Sequence, residues 1–120
     1  LWDAKLFDFA ELYGAEFGMD KANRLRYGQT MMTHAMLFTG VDVVDGKPRR
    51  WRVENSWGAK KSGEEGFYTM NDSWYDEHMF EIAAPTDYLT EKMKKGLSTT
   101  PVVLPAWDPM GSLAKDEAVL

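Results

Sequence analysis

Histidine is the side chain best suited to move protons near neutral pH, and this sequence carries two of them. One of them, His34, precedes Asn55 and Trp57 by 21 and 23 residues, with an Asp45-Gly46 turn signal in between. A two-residue turn there pairs positions whose numbers sum to 91, which places Trp57 opposite His34 and Asn55 diagonally on the same face. An amide oxygen can accept the imidazole N–H and orient the ring, and a neighbouring indole shields that bond from water. The spacing therefore predicts a base and its orienting group on one patch.

The sequence of 120 residues contains no cysteine, and this absence limits the chemistry that the base could serve. Disulfides, thiolate metal sites and a cysteine nucleophile are excluded within this sequence. No serine stands in the G-x-S-x-G pattern of a serine hydrolase either. The sequence thus offers a base with an orienting group but no nucleophile. The alternative interpretation of His34 is an ordinary structural histidine on an apolar strand.

The second histidine, His78, has Glu77 and Glu81 nearby, and these are side chains that could bind a metal ion. Such close spacings are common by chance, however, and the sequence has no H-E-x-x-H pattern. The glycines form no phosphate-binding loop. We therefore predict no metal site and no cofactor.

The composition is that of a globular domain, with 44% apolar residues, 28% charged residues and a net charge of −5. The negative charge argues against a nucleic-acid binder, although residues 47–61 are basic and could form a binding surface. Residues 62–91 carry acids but no lysine or arginine, and two solvated faces are the simpler interpretation. No apolar run is long enough for a membrane-spanning helix, and residues 1–20 lack a signal-peptide pattern. We expect no membrane and no nucleic-acid partner.

Four strands are predicted, and two of them carry the patch formed by His34, Asn55 and Trp57. Residues 31–44 form an apolar run without a helical period, which favours a strand buried on both faces. Shorter strands are predicted at 66–70 and 79–84. Residues 49–57 alternate between apolar and charged side chains. The predicted inner face of that strand consists of Trp51, Val53, Asn55 and Trp57.

Capping signals predict the helices, and residues 1–20 are predicted to form loop and one short helix. The other predicted helices are about 21–28, capped by Asp20, one turn from Asn71 or Asp72 through Glu77, and one from Thr86 or Asp87 to about Lys95, ended by Gly96. From residue 97 onward three prolines forbid regular helix. We predict an extended arm there, whose Trp107 and Met110 lie on another surface.

Several strings resemble the papain-like cysteine peptidases, and the wider sequence is similar to their bleomycin hydrolase and aminopeptidase C branch. The resemblance spans about residues 14–114, and its strings are D-K-A with R-L at 20–25, M-M-T-H-A-M at 31–36, W-R-V-E-N-S-W-G at 51–58 and L-P-A-W-D-P-M-G at 104–111. It implies that His34 is the catalytic histidine, that Asn55 orients it and that Trp57 covers their bond. The family's nucleophilic cysteine and its oxyanion-hole glutamine would lie in an N-terminal half that this sequence does not contain.

The fold class implied by the resemblance is α+β. The chain would be the β-rich C-terminal half of a papain-like peptidase, an antiparallel sheet or half-barrel with short helices. We expect residues 1–96 to form that part and residues 97–120 to form an extended C-terminal arm. The implied function is that of a C-terminal fragment of a cysteine aminopeptidase, inactive alone because it lacks the nucleophile. The alternative is a non-enzymatic β-rich binding or assembly module.

The resemblance also implies partners. Members of this branch are cytosolic hexamers that act on peptides with a free N-terminus, so the full-length enzyme would be a cytoplasmic homo-oligomer. In the family the C-terminal arm brings its terminal carboxylate to the amino group of the substrate. Here residues 115–120 extend past the usual end; unless they are trimmed, they would push the carboxylate out of register or obstruct the cleft. Half of a cleft also exposes apolar surface, and we therefore expect self-association.

Overall fold

The computed structural model describes residues 1–60 and 63–109. In these residues the chain forms a three-stranded antiparallel sheet in the order β1-β2-β3, accompanied by short helices. This arrangement confirms the predicted α+β class. The elements in chain order are α1 (Phe9–Tyr13), α2 (Lys21–Arg26), β1 (Leu37–Val44), β2 (Lys47–Glu54), β3 (Phe67–Asn71), α3 (Asp72–His78), a 3-10 turn (Thr86–Tyr88) and α4 (Glu91–Leu97).

The hairpin from β1 to β2 turns at Asp45 and Gly46, whose φ angles are 50° and 74°. Two consecutive residues with positive φ make the type I′ turn that matches the twist of antiparallel strands. The paired positions sum to 91 next to the turn, as predicted, and again at the far end, where Leu37 pairs with Glu54. Between these ends the register shifts by one residue and then returns. The hairpin therefore brings the start of β1 beside the residue that precedes Asn55.

The first strand is shorter and more exposed than the sequence predicts. β1 begins at Leu37, so residues 31–36, which include His34, lie before the strand rather than in it. In β1 only Phe38 and Asp42 are even half-buried, so the expectation of a strand buried on both faces is wrong. The reason is its place in the described sheet. β1 is an edge strand that pairs with β2 alone, and nothing in the described residues covers its apolar side chains well.

The predicted fourth strand at residues 79–84 is wrong, because the structure shows no strand there. The free edge of β3 is occupied instead by Trp2 of the N-terminal segment. The Trp2 N–H donates to the Thr69 carbonyl oxygen, and the Asn71 N–H donates to the Trp2 carbonyl oxygen, both at 2.8 Å. The Trp2 ring also stacks on Tyr68. A residue distant in sequence thus uses the hydrogen-bonding groups that a fourth strand beside β3 would need.

One cluster of aromatic rings packs α3 against the sheet. Trp51 stacks on Tyr75 with ring centroids 4.8 Å apart, and the Phe38 ring lies 5.3 Å from Trp51. The Trp51 Nε1–H donates to the Asp72 carboxylate at 2.8 Å, so the polar end of the indole has a partner. On the same face of β2, Val53 is buried, whereas the charged side chains of the strand are exposed. This confirms the predicted alternation within β2.

A side-chain cap explains the start of α2, whereas α3 begins without one. Asp20 caps α2 as predicted, because its carboxylate accepts the Asn23 N–H at 2.8 Å. α3 begins directly after Asn71, also as predicted, and extends one residue past the predicted end to His78. The Asn71 side chain does not cap the helix. It donates instead to the Asp3 carboxylate at 2.6 Å and helps to attach the N-terminal segment.

The helix predicted to begin at Thr86 or Asp87 begins later than expected. Those residues belong to a 3-10 turn, and α4 begins at Glu91. The Thr90 hydroxyl accepts the Met93 N–H at 3.3 Å, so Thr90 is the residue that caps this helix. α4 also continues one residue past the glycine that was expected to end it.

The arm predicted from residue 97 onward is described as far as residue 109. Its Trp107 side chain is 82% exposed, so the expectation that it lies on another surface is wrong for this chain by itself. Met110 and residues 115–120 lie outside the described residues, and the division of the chain at residue 96 stays a prediction. In the described part of the chain, no helix has the length and apolar character needed to cross a membrane.

The described residues bury few apolar side chains and expose many. Val53 and Met70 are the buried apolar residues, and exposed ones occur along the whole chain. Strongly exposed examples are Phe7, Leu12, Phe17, Leu37, Tyr88, Val102 and Val103.

We predict that the isolated chain self-associates, because large exposed apolar patches are rare on soluble monomers. Light scattering should give a mean mass that rises above 13.7 kDa with concentration. A mass that stays at the monomer value over the whole range would contradict this.

We predict that Trp51→Ala lowers the free energy of unfolding by about 3 kcal/mol, because it removes a packed indole and leaves Asp72 without its donor. Trp107→Ala removes the same side chain from an exposed position and should change that free energy by less than about 0.5 kcal/mol. Urea unfolding followed by far-UV circular dichroism measures both. Equal losses for the two variants would show that the aromatic cluster does not organise the fold.

Candidate active site

A hydrogen bond joins the His34 and Asn55 side chains. His34 Nε2 lies 3.0 Å from Asn55 Oδ1. A carboxamide oxygen can only accept, so Nε2 carries the proton and donates it. In a neutral imidazole the other nitrogen, Nδ1, is then unprotonated and able to take a proton from another group. The bond therefore sets both the orientation of the ring and the tautomer that a general base requires.

Backbone pairing at the end of β2 fixes Asn55. The residue directly follows the strand and is only 7% exposed. Its N–H donates to the Gly66 carbonyl oxygen at 3.0 Å, which continues the pairing of β2 with β3 by one residue. Gly66 has a φ of 89°, and a Cβ there would lie 3.4 Å from the Gly58 carbonyl oxygen. The positive φ favours glycine at this position, whereas the contact with Gly58 is an ordinary van der Waals distance.

The sequence names the side chains of this site but misses the backbone contact that supports one of them. It predicts Gly66 only as the start of a strand. The structure shows that the carbonyl oxygen of Gly66 anchors Asn55, and that β3 itself begins one residue later. The available signal was a glycine at the junction of a polar loop and an apolar strand, a position where positive φ is common.

His34 reaches Asn55 from a segment that has no regular secondary structure. The segment covers residues 27–36 between α2 and β1, and His34 lies three residues before Leu37. Because Leu37 pairs with Glu54, the sheet brings the end of this segment beside Asn55. The histidine itself is exposed, so its second ring nitrogen can be reached by a partner.

Trp57 contacts the imidazole, as its spacing from His34 predicts. The two ring centroids are 5.2 Å apart and the ring planes meet at 34°. The indole nevertheless remains 55% exposed, because Trp57 lies beyond the end of β2 and little of the described chain packs on its outer side. In this chain the indole therefore lies beside the imidazole without enclosing it.

His78 lies in another environment. Its ring packs on Trp74 with centroids 4.2 Å apart. Partial burial lowers the pKa of His78 below its usual value, and the Arg24 and Lys21 cations lower it further, whereas Glu77 opposes them. Within residues 1–60 and 63–109, no group of three or more histidine or acidic side chains is arranged to hold a metal ion.

One crevice of the described chain lies away from the histidine–asparagine pair. It has a volume of about 1090 Å³ and lies between the N-terminal segment and α3. Its lining includes Phe9, Tyr13, Trp74 and His78, but none of the three predicted site residues. The pair instead lies on an open surface, where a second protein surface could meet it.

Comparison with known proteins identifies the family. The sequence profile of the Peptidase C1-like family matches residues 1–111. The chain belongs to this family. Among curated members it is 46% identical over 107 residues to aminopeptidase C of Lactobacillus helveticus, covering 87% of this chain and 24% of that protein. It is 42% identical over 119 residues to human bleomycin hydrolase, covering 96% of this chain and 26% of that protein.

A solved structure agrees with the papain-like C1 peptidase fold. The chain superposes on PepW from Lactobacillus rhamnosis HN001 with a TM-score of 0.81 and 43% identity. The match covers 93% of this chain and 26% of that one. The chain thus spans about a quarter of the length of the family members it matches, and it matches their C-terminal part.

We predict that Asn55→Ala releases the His34 ring. Without the Oδ1 acceptor, the Nε2–H exchanges with water, so its proton NMR signal disappears and the nuclear Overhauser effect between the His34 and Trp57 rings weakens. His34→Gln assigns the signal. Asn23→Ala removes a carboxamide that bonds only locally, to Arg26, and should leave the signal in place. Survival of the Nε2–H signal in Asn55→Ala would contradict the role of this bond.

Proposed function

We propose that this chain supplies a general base, His34, and its orienting residue, Asn55, to the active site of a cysteine aminopeptidase. The observation that carries the proposal is the 3.0 Å bond from His34 Nε2 to Asn55 Oδ1, which leaves Nδ1 free to exchange a proton. The names of its relatives, aminopeptidase C and bleomycin hydrolase, support the same class of reaction. Because the chain spans about a quarter of those proteins, the proposed activity is that of a longer protein.

In the proposed reaction a cysteine thiolate from outside this chain forms an ion pair with protonated His34. The sulfur attacks the first peptide carbonyl carbon, the C–N bond breaks, and His34 Nδ1–H gives its proton to the leaving amine. A thioester of the N-terminal amino acid remains on the cysteine. Water then attacks the thioester carbon while Nδ1 takes a proton from that water, and the thiolate leaves. These steps release the amino acid and restore the ion pair.

The contribution proposed for Asn55 is geometric. The imidazole must present Nδ1 first to the sulfur and then to the leaving amine, so rotation about its Cβ–Cγ bond would misplace the proton. Asn55 resists that rotation because it is buried and its own N–H is bonded to Gly66. A misplacement of about 1 Å can lower a rate by about 100-fold, which sets the expected size of its effect. Trp57 assists by packing beside the ring.

The proposed substrate is a peptide with a free N-terminus. This specificity comes from the resemblance, in which the carboxylate of the C-terminal arm meets the substrate amino group. The residues concerned, 110–120, lie outside the described part of the chain. We also propose that the full-length enzyme is a cytoplasmic hexamer. The exposed apolar side chains of this chain are compatible with burial in such an assembly.

We predict that the 120-residue chain alone does not hydrolyse aminoacyl-coumarin substrates, because it has no thiol to form the covalent intermediate. A chimera in which residues 1–114 of this chain, without the extension at 115–120, replace the matching part of Lactobacillus helveticus aminopeptidase C should hydrolyse them. In the chimera, His34→Ala should lower kcat/KM by about 1000-fold or more, and Asn55→Ala by about 10- to 100-fold.

His78→Gln is the matched control, because it changes the other histidine of the chain and should leave kcat/KM within about twofold. Activity of the chimera that survives His34→Ala would exclude the proposed role of that residue. Hydrolysis by the purified isolated chain would equally exclude the proposed division of the site, because it would proceed without any cysteine thiol.

A further inference from the structure

Two cations of α2 bind carbonyl groups at the end of α3. Arg24 Nη2 donates to the Glu77 carbonyl oxygen at 2.9 Å and to the Glu77 carboxylate at 2.7 Å. Lys21 Nζ donates to the Asp76 carbonyl oxygen at 2.7 Å and also to the Met79 carbonyl oxygen. We name this set of contacts, from Lys21 and Arg24 to residues 76–79, the α2–α3 latch.

The α2–α3 latch is more specific than an ordinary surface ion pair. The last carbonyl groups of a helix have no partner within the helix and attract cations, so both side chains bind sites that the α3 backbone fixes in place. The Arg24 side chain is only 21% exposed. Its Nη1 also donates to the Met19 carbonyl oxygen at 2.9 Å, which ties the chain entering α2 to the same guanidinium. Lys21 lies over the Phe80 ring, 5.2 Å from its centroid.

The same α3 is fixed to β2, the strand that leads to Asn55. Tyr75 of α3 stacks on Trp51 of β2, and Asp72 of α3 accepts the Trp51 Nε1–H. β2 leads directly to Asn55. The α2–α3 latch therefore attaches α2 to the frame in which Asn55 is held, although α2 and Asn55 are far apart in sequence.

The other end of α2 leads to His34. The Gln29 N–H donates to the Arg24 carbonyl oxygen at 2.8 Å, so the segment of residues 27–36 leaves the helix in a defined direction. That segment has little packing of its own, because of residues 27–36 only Thr30 and Met32 are even half-buried in the described chain. Its position must therefore come from its two ends, which are α2 and β1.

We propose that Lys21 and Arg24 are positioning residues for His34. The α2–α3 latch holds one end of the segment 27–36 and the pairing of β1 with β2 holds the other, so that the imidazole stays beside Asn55. The inference rests on the proposed function for the meaning of His34 as a base, and on contacts within this chain for the rest. It assigns a role to Lys21 and Arg24 of the string at 20–25, which the proposed reaction leaves unused.

The chain is well suited to a test because it has two histidines, one beside the α2–α3 latch and one at the candidate active site. His78 packs beside the α2–α3 latch and reports whether the latch is intact, since the Arg24 and Lys21 charges help to lower the pKa of His78. His34 reports whether the effect reaches the site. NMR of the full 120-residue chain follows the titration of His78, the Nε2–H signal of His34, and the nuclear Overhauser effect between the His34 and Trp57 rings.

In Arg24→Gln and in Lys21→Gln we expect the pKa of His78 to rise, because a nearby positive charge is lost. If Lys21 and Arg24 position His34, both variants should also lose the His34 Nε2–H signal and the contact between the His34 and Trp57 rings. Arg26→Gln is the matched control. Arg26 lies on the same helix, and its bond within the described residues is to Asn23, so neither histidine should change.

A merely structural latch would move the His78 titration and leave the His34 signals unchanged in both variants, and that result would overturn the inference. Arg24→Lys keeps the charge and should restore part of the His34 signal. If Arg24→Gln unfolds the chain, the NMR signals of both histidines move together to the positions of an unfolded peptide. The His34 Nε2–H signal and the contact between the His34 and Trp57 rings in Lys21→Gln and Arg24→Lys then decide.

Activity distinguishes this inference from the proposed function. In the chimera, Arg24→Gln should lower kcat about 10-fold and leave KM nearly unchanged, because the substrate still binds while the base is misplaced. Retained activity in His34→Ala would exclude the proposed function without affecting the NMR result. Lost activity in His34→Ala together with unchanged kcat and unchanged His34 signals in Arg24→Gln would exclude the positioning role alone.

Discussion

The carboxamide of Asn55 is the fixed point on which the rest of the site depends. A buried polar group is costly unless its hydrogen bonds are made, and Asn55 makes them in two directions. Its backbone N–H donates to the Gly66 carbonyl oxygen and so continues the sheet pairing, while its Oδ1 accepts a hydrogen bond from His34 Nε2–H. The imidazole, on an irregular and exposed segment, has no comparable support of its own. The sheet therefore orients the base through a single amide group.

This dependence explains how the elements are divided. β2 is the central strand; it carries Trp51, which packs on α3, and leads directly to Asn55, which meets His34. The strands on either side of β2 contribute through their ends, where Leu37 and Gly66 lie beside the end of β2. Around this centre the described residues leave much apolar surface exposed, in keeping with a chain that spans about a quarter of its relatives. The bond between His34 and Asn55 is nevertheless formed by described residues alone.

Local signals in the sequence predict local structure well. The positive φ of Asp45 and Gly46 and the cap at Asp20 each depend on a few adjacent residues, and both were predictable. The alternation of Trp51 and Val53 with charged neighbours likewise predicts the inner face of β2. The meeting of His34 with Asn55 follows from the turn and a count of residues, whereas their chemical roles come from resemblance to a family and remain proposals.

The remaining features depend on contacts that no local pattern contains. Trp2 takes the edge of β3 although it is nearly seventy residues away, and that pairing replaces the predicted fourth strand. The apolar run at 31–44 predicts burial, but burial requires a covering surface, and the described chain provides little. The start of α4 depended on competition between Thr86, Asp87 and Thr90 as caps, which sequence rules rank almost equally.

The two register shifts in the β1–β2 hairpin have a consequence for how this sequence can change. Arg49 is an extra residue in β2, and Thr39 is an extra residue in β1, so each bulge cancels the displacement made by the other. Deleting one of them alone would shift the pairing of Leu37 with Glu54 by one residue. The shift would move His34 away from the Asn55 side chain. Deleting both would keep the two in step. Gaps at these positions should therefore arise in compensating pairs during evolution, and a designer who shortens the hairpin must remove residues from both strands together.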